Sequence, residues 1–128
     1  MFTMDSNTHT AIKEMSPLIL VADLGRAIEF YTTKLGFETG FLYEDFYAGL
    51  VKDGYSIHLK ADPCTADEMK ATRENQNPEI IFSVENIEHL YKDCENKMVP
   101  IIQPLRTMPY GREFYIADPD HNIFAFIE

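Results

Sequence analysis

The sequence predicts an α+β fold of two tandem βαβββ units, whose curved mixed sheets surround a cleft. A strand-then-helix pattern occurs twice, once near the start of the chain and again after its middle. Each occurrence is followed by strands that meet at a tight turn, Asp53-Gly54 in the first half and residues 118–122 in the second. An offset of 63 residues superimposes the two halves and places Val21 on Val84. Units this small cannot cover both faces of their sheets alone, so we expect them to pair within one chain or between chains.

The first unit is predicted to cover residues 16–62. Residues 18–21 form an apolar run short enough for a buried strand, and Asp23 is a helix N-cap. Gly36 is expected to end the helix in the left-handed conformation that glycine adopts readily. The apolar stripe of this helix consists of Leu24, Ala27, Ile28, Tyr31 and Leu35. The remaining strands are predicted at 37–43, 46–52 and 55–61.

A polar connector is predicted at 63–77, with a short helix at 66–73, before the second unit at 78–128. In that unit Asn86 is the predicted helix cap, and Pro100 ends the helix. Its apolar stripe consists of Ile87, Leu90, Tyr91, Cys94 and Met98. Its strands are predicted at 79–84, 101–103, 112–117 and 122–127. Toward the end the repeat offset grows to 67 residues, which predicts a longer loop at 104–110.

Composition restricts the classes of partner. The chain has 128 residues and a net charge of −10, so neither nucleic acid nor an anionic membrane is an expected partner. Residues 1–15 are polar and aperiodic, which predicts a flexible tail and offers no apolar core for a signal peptide. Cys64 and Cys94 suggest no disulfide framework, and we expect both thiols to be reduced in a cytoplasmic protein.

Two motifs carry a resemblance to a known family. The opening apolar-Val-x-Asp-Leu-x-x-Ala-x-x-Phe-Tyr-x-x-x-Leu-Gly-Phe and the closing Gly-Arg-Glu-Phe-x-x-x-Asp-Pro-Asp-x-Asn resemble the vicinal oxygen chelate superfamily. That superfamily includes glyoxalase I, extradiol dioxygenases, fosfomycin-resistance enzymes and bleomycin-resistance proteins. The matching residues are Val21, Asp23, Leu24, Ala27, Phe30, Tyr31, Leu35, Gly36, Phe37, Gly111 to Phe114, Asp118 to Asp120 and Asn122. The resemblance implies a single domain over residues 16–128.

The resemblance also implies where a metal would bind. Metal enzymes of the superfamily take ligands from the first and last strand of each unit, and those positions are Ser16, His58, Glu79 and Ala125 here. A catalytic divalent ion needs about three protein ligands, and His58 and Glu79 are the two suitable ones of the four. We therefore expect no metal and no cofactor. The alternative is a metal-dependent lyase, isomerase or dioxygenase that uses His58 and Glu79.

The segment Pro109-Tyr-Gly-Arg-Glu-Phe114 is similar to the bleomycin-resistance branch, although Trp is common where this chain has Tyr110. This similarity implies a small acidic homodimer that sequesters an organic, cationic or aromatic ligand in a groove without metal. The expected ligand-binding residues are His58, Glu79, Tyr110, Arg112, Phe46, Tyr47 and Phe114.

Local patterns leave alternatives open for several of these residues. Strand alternation puts His58 on a polar face, where a pocket role and an ordinary strand role fit equally. Glu79 is either a solvated acid or a carboxylate in the cleft, acting on a cation or as a general base.

Arg112 shares a strand face with Phe114 and would contact either a ligand in the groove or an acid, namely Asp118 or an acid of the other unit. The aromatic rings of Phe46, Tyr47 and Tyr110 suit a groove rim or a dimer interface equally. His121 and its neighbouring aspartates are predicted to form the turn without chemistry.

Overall fold

A computed structural model describes residues 10–62 and 77–128. The predicted helix at 66–73 and Cys64 lie outside these residues. The elements in chain order are β1 (Leu18–Val21), α1 (Leu24–Thr33), β2 (Glu38–Tyr43), β3 (Tyr47–Lys52), β4 (Tyr55–Ala61), β5 (Ile80–Ser83), α2 (Ile87–Asn96), β6 (Ile101–Met108), β7 (Gly111–Ala117) and β8 (Ile123–Ile127).

The strands form two four-stranded sheets of identical topology. Their orders are β1-β4-β3-β2 and β5-β8-β7-β6. In each sheet the first pair is parallel and the other pairs are antiparallel. This arrangement confirms the prediction of two βαβββ units with mixed sheets.

Each sheet packs one face into the core, and the first sheet leaves its other face open. In β4, Ile57 and Leu59 are buried, whereas His58 between them is half-buried. The same alternation buries Ala48 and Leu50 in β3. Because successive side chains of a strand point to opposite faces, the buried apolar residues define the core side and leave the polar and aromatic ones on the other.

The segment 104–110 differs from the predicted loop. It belongs mostly to β6, which runs to Met108 and pairs with β7. The register shifts between Ile101 and Gln103 and again between Gln103 and Arg106. The extra residues of the second unit therefore form irregularities in the edge strand β6. Pro104, which has no N–H to donate, is tolerated in an edge strand.

The two helix starts are capped differently. Asp23 caps α1 as predicted, because its carboxylate accepts a hydrogen bond from the Arg26 amide at 3.0 Å. Asn86 occupies the N-cap position of α2 but makes no side-chain cap, so its predicted capping role is wrong. The carboxylate of Glu128, which follows β8, accepts from the amides of Asn86 and Ile87 at 3.1 and 2.9 Å instead. An acid at a helix N-terminus also interacts favourably with the helix dipole.

The turn at 118–122 joins the two units through buried polar groups. The hydroxyl of Tyr31 on α1 donates to Asp118 Oδ2 at 2.7 Å. The Asn122 amide donates to the carbonyl of Leu20 on β1 at 3.1 Å. Asp120 Oδ1 accepts from the Ala22 amide at 3.0 Å and from Arg26 Nη2 at 2.8 Å. The turn of the second unit therefore holds the strand–helix junction of the first.

The same turn is organised around Asp118. Its Oδ1 accepts from the amides of Asp120 and Asn122 at 2.9 and 2.8 Å, and its Oδ2 accepts from the Asn122 side chain at 2.8 Å. His121 has a φ of 66°, which confirms that it adopts a turn conformation that glycine favours. Burial raises the pKa of Asp118 above its ordinary value, despite these hydrogen bonds.

The described part of the predicted tail, residues 10–15, is exposed and contains neither helix nor strand. Within the described ranges, no helix is long and apolar enough to cross a bilayer. Cys94 is a free buried thiol on α2, as predicted, and burial raises its pKa to about 11.

We predict that Asp118→Ala lowers the free energy of unfolding by about 3 kcal/mol, because it leaves the buried Tyr31 hydroxyl and several turn donors without an acceptor. Asp53→Asn, in the exposed turn of the first unit, should cost less than about 0.5 kcal/mol. Urea unfolding of both variants checks this. Equal effects would contradict the structural role of the second turn.

Candidate functional site

The open face of the first sheet carries a compact group of rings, which we call the aromatic face and define as Phe41, Tyr47 and His58. Tyr47 and His58 alternate with core residues on β3 and β4, so they point away from α1. Phe41 on β2 is opposite Gly49 in the register and joins them. Three adjacent strands therefore present one aromatic surface.

The three rings contact one another with defined geometry. The Tyr47 hydroxyl and His58 Nδ1 are 2.8 Å apart and share a hydrogen bond. Phe41 stacks on Tyr47, with centroids 6.1 Å apart and an angle of 14° between the planes, and it meets His58 edge-on at 5.4 Å. Gly49 is required beneath them, because a Cβ there would collide with the Phe41 ring. Such an array suits an aromatic or cationic ligand.

The aromatic face is accessible. Phe41 is 47% exposed, although it is a large apolar side chain. His58 is half-buried and fixed by the Tyr47 hydroxyl, so its ring is held at one orientation beside Phe41. The face can stack on a planar group and can exchange hydrogen bonds through imidazole and phenol.

A small polar cluster lies beside the aromatic face. The hydroxyls of Ser16 and Ser56 are 2.6 Å apart and donate to Glu14 Oε2 at 2.7 and 2.5 Å. These hydrogen bonds, from Ser56 first and then Ser16, hold the pKa of Glu14 below its ordinary value. Ser56 shares its strand face with His58, two residues away, so the carboxylate of Glu14 is held close to the aromatic face.

The open face of the second sheet carries a different network, centred on Glu113. Glu113 is almost completely buried, with 1% of its surface exposed. Arg106 donates to its Oε2 through Nε at 2.8 Å and Nη2 at 2.6 Å, and Tyr110 donates to its Oε1 at 2.7 Å. Burial acts to raise the pKa of Glu113, but the bonds from Tyr110 and Arg106 outweigh it and hold the pKa below 4.5.

The predicted site residues therefore separate into groups. The structure brings His58 and Tyr47 together on the first sheet. Phe46 lies in the turn between β2 and β3, and its ring meets that of Tyr43 edge-on with the centroids 5.4 Å apart. Tyr110 belongs to the network of the second sheet. Glu79 precedes β5 with an exposed side chain, and its amide donates to the Ile123 carbonyl at 2.7 Å.

Arg112 and Phe114 lie on the core side of β7, away from its open face. Phe114 is fully buried and meets Tyr91 of α2 edge-on at 5.0 Å. Arg112 Nη1 donates to Glu88 Oε1 of α2 at 2.6 Å. The expectation that Arg112 would pair with Asp118 or an acid of the other unit is wrong, because Asp118 is occupied by Tyr31 and the turn.

The four positions at which related enzymes hold metal do not fit a metal here. Ser16 is engaged with Glu14 and Ser56, and Ala125 is buried and has no donor atom in its side chain. Over residues 10–62 and 77–128, no group of three or more His, Cys, Asp or Glu side chains could hold a metal ion. We derive no metal-dependent step for this site.

Sequence reasoning missed Phe41, Glu14 and Glu113. Alternation in β7 could have found Glu113, because Phe114 and Ile116 mark the core face and place Glu113 on the other. The opposition of Phe41 and Gly49 depends on the irregular register of β2. Glu14 lies in the polar tail, where no periodic pattern marks it.

Comparison with known proteins gives a consistent result. A model of the Glyoxalase/Bleomycin resistance protein/Dioxygenase superfamily matches residues 8–126. Bleomycin resistance proteins of Geobacillus stearothermophilus and Staphylococcus aureus are 30% identical over 129 aligned positions, which cover 88% of this chain and 93% of each relative.

Solved structures share the fold. UcmS2 matches with a TM-score of 0.77 and 23% identity, over 92% of this chain and 98% of that one. The bleomycin-binding protein of bleomycin-producing Streptomyces verticillus, solved with copper(II)-bleomycin, matches with a TM-score of 0.72 and 20% identity, over 93% of this chain and 98% of that one. At these identities the likeness demonstrates the common fold.

We predict that Glu113→Gln destabilises the protein by about 1–2 kcal/mol at pH 7, because it removes the charge that Arg106 and Tyr110 stabilise. The folded pKa of Glu113 is lowered, so its contribution exists above 4.5, the ordinary value, and is lost as the pH falls through the folded pKa. The difference between variant and wild type in urea unfolding should therefore shrink in acid.

Glu88→Gln is the matched control, because Glu88 and Glu113 each pair with an arginine at 2.6 Å but the Glu88 side chain is 64% exposed. Its loss should cost less than about 0.5 kcal/mol at any pH. A Glu113→Gln effect that does not change with pH would contradict the assignment.

Proposed function

We propose that this chain, which belongs to the Glyoxalase/Bleomycin resistance protein/Dioxygenase superfamily, binds and sequesters an organic ligand without using a metal. The ligand is of aromatic or cationic character. The observation that carries this proposal is the aromatic face of Phe41, Tyr47 and His58. The rings are preorganised by contacts with one another, and Phe41 is nearly half exposed. The solvent-facing side of a sheet usually carries polar residues instead.

The charge of the chain supports a cationic ligand. The net charge of −10 attracts cations and raises the rate at which they encounter the protein. Aromatic rings add cation–π and stacking energy once the ligand is in contact. Relatives called bleomycin resistance proteins and a structural neighbour solved with copper(II)-bleomycin make bleomycin-like molecules the first candidates.

The mechanism we propose is sequestration. A protein that protects by binding needs affinity and a sufficient concentration, and it needs no catalytic group. Rings already held by contacts with one another lose little conformational entropy when a ligand binds, which favours affinity. We place this role in the cytoplasm.

We predict that isothermal titration in the presence of EDTA detects binding of metal-free bleomycin or of the planar cation N-methylacridinium to the purified protein. Phe41→Ala should weaken binding roughly three- to tenfold, because it removes one wall of the aromatic face. Tyr55→Ala is the matched control, because Tyr55 is 79% exposed on the same sheet. Its side chain lies on the strand face of Ile57 and Leu59, opposite to that of His58. Absence of binding of both probes to wild type would contradict the proposal.

We also propose that the chain forms a homodimer. β2 is an edge strand whose six residues are all exposed, and Leu42 and Tyr43 at its end are 57% and 61% exposed. Exposed apolar side chains grouped on an edge strand, one side of which has no neighbouring strand, are typical of an interaction surface.

Sedimentation equilibrium should give twice the chain mass of 14.8 kDa for wild type. Leu42→Lys should shift the equilibrium toward monomer, because it buries a charge in the interface, whereas Tyr55→Lys should not. A wild-type monomer at all concentrations would exclude the dimer.

A further inference from the structure

The polar cluster of Glu14, Ser16 and Ser56 lies outside the hydrophobic core. Glu14 belongs to an exposed segment without helix or strand, yet its carboxylate accepts hydrogen bonds from Ser16, which precedes β1, and from Ser56 of β4. The hydroxyl oxygens of Ser16 and Ser56 lie 2.6 Å apart, so both donors converge on one carboxylate oxygen. A surface carboxylate is ordinarily mobile, and this one is fixed.

The position of the cluster relates it to the aromatic face. Ser56 and His58 lie two residues apart on one face of β4, a separation of about 7 Å. Glu14 is bonded to Ser56, and His58 contacts both Phe41 and Tyr47. The carboxylate therefore lies at the margin of the rings, within the dimensions of one ligand of two or three fused rings.

One oxygen of Glu14 accepts no hydrogen bond from the described residues. Both hydroxyls donate to Oε2, and among the residues that the structure describes none donates to Oε1. The bonds from the serines stabilise the ionised form of Glu14, so the group carries its negative charge at neutral pH.

We infer that Glu14 is the cation-recognising residue of the ligand site, and that it selects aromatic ligands bearing a positive charge over neutral ones of the same shape. This inference rests on the proposed function and adds to it the residue that determines charge specificity. The rings supply contact with either kind of ligand, and Glu14 supplies the preference. Ser16 and Ser56 are positioning residues, because they act through the carboxylate that they hold.

The test compares two probes of nearly equal shape at pH 8: N-methylacridinium, a permanent cation, and acridine, which is neutral there. Their dissociation constants are measured by fluorescence titration for wild type and variants. Wild type should prefer the cation about three- to fivefold, the range for one partly exposed charge pair. Glu14→Gln should reduce this preference to near one, mainly by weakening the binding of N-methylacridinium.

Two further variants separate position from charge. Glu29→Gln makes the same change of net charge on α1, on the other side of the sheet, and should keep the wild-type preference. The double variant Ser16→Ala and Ser56→Ala keeps the Glu14 charge but releases it, and should lose most of the preference.

An unchanged preference in Glu14→Gln, or equal loss in Glu29→Gln, would overturn the inference and leave the proposed function standing, because both probes would still bind. Equal binding of the two probes by wild type would overturn it as well. Absence of binding of both probes, together with absence of bleomycin binding, would overturn the proposed function itself.

Discussion

The structure depends on one buried set of hydrogen bonds, those that the turn at 118–122 makes with the start of the first unit. Among the described residues each βαβββ unit combines one sheet with one helix, and a unit of this size is too small to close its own core. Tyr31 connects them: its ring lies 5.9 Å from Phe124 of the second unit and its hydroxyl donates to buried Asp118. Burial and the nearby Asp118 charge raise the pKa of Tyr31 well above its ordinary value, so the hydroxyl keeps its proton as donor. Breaking the link would leave further buried polar groups without partners, which is costly in a low-dielectric interior.

This link determines what the open faces can do. With the apolar sides of both sheets committed to the shared core, the opposite sides are available for other chemistry. The first sheet uses its open side for Phe41, Tyr47 and His58, and the second for the Glu113 network. Of the four positions where the resemblance would place metal ligands, two carry instead a hydroxyl bonded to Glu14 and an alanine. One fold thus supports catalysis in some relatives and, as we propose for this chain, binding alone.

The sequence predicted the architecture well because alternation and glycine turns are local signals. The stretch Ser56-Ile-His-Leu revealed which face of β4 is buried, and Asp53-Gly54 predicted its hairpin. Errors arose where a distant residue overrides a local one. Asn86 is a good cap by type, but Glu128 from the far end of the chain takes its place. Arg112 shares a strand face with Phe114, as predicted, but it pairs with Glu88 of its own unit, which strand alternation alone could not identify.

The most direct test of a metal-independent ligand site on the aromatic face is a two-dimensional NMR titration of the labelled protein with metal-free bleomycin in EDTA. Amide shifts report which face of which sheet meets the ligand. We expect the largest changes at Gly49 and His58, with the amide of Cys94 on α2 unaffected. Changes confined to residues around Glu113, or saturable changes that require an added divalent ion, would contradict a metal-independent site on the aromatic face.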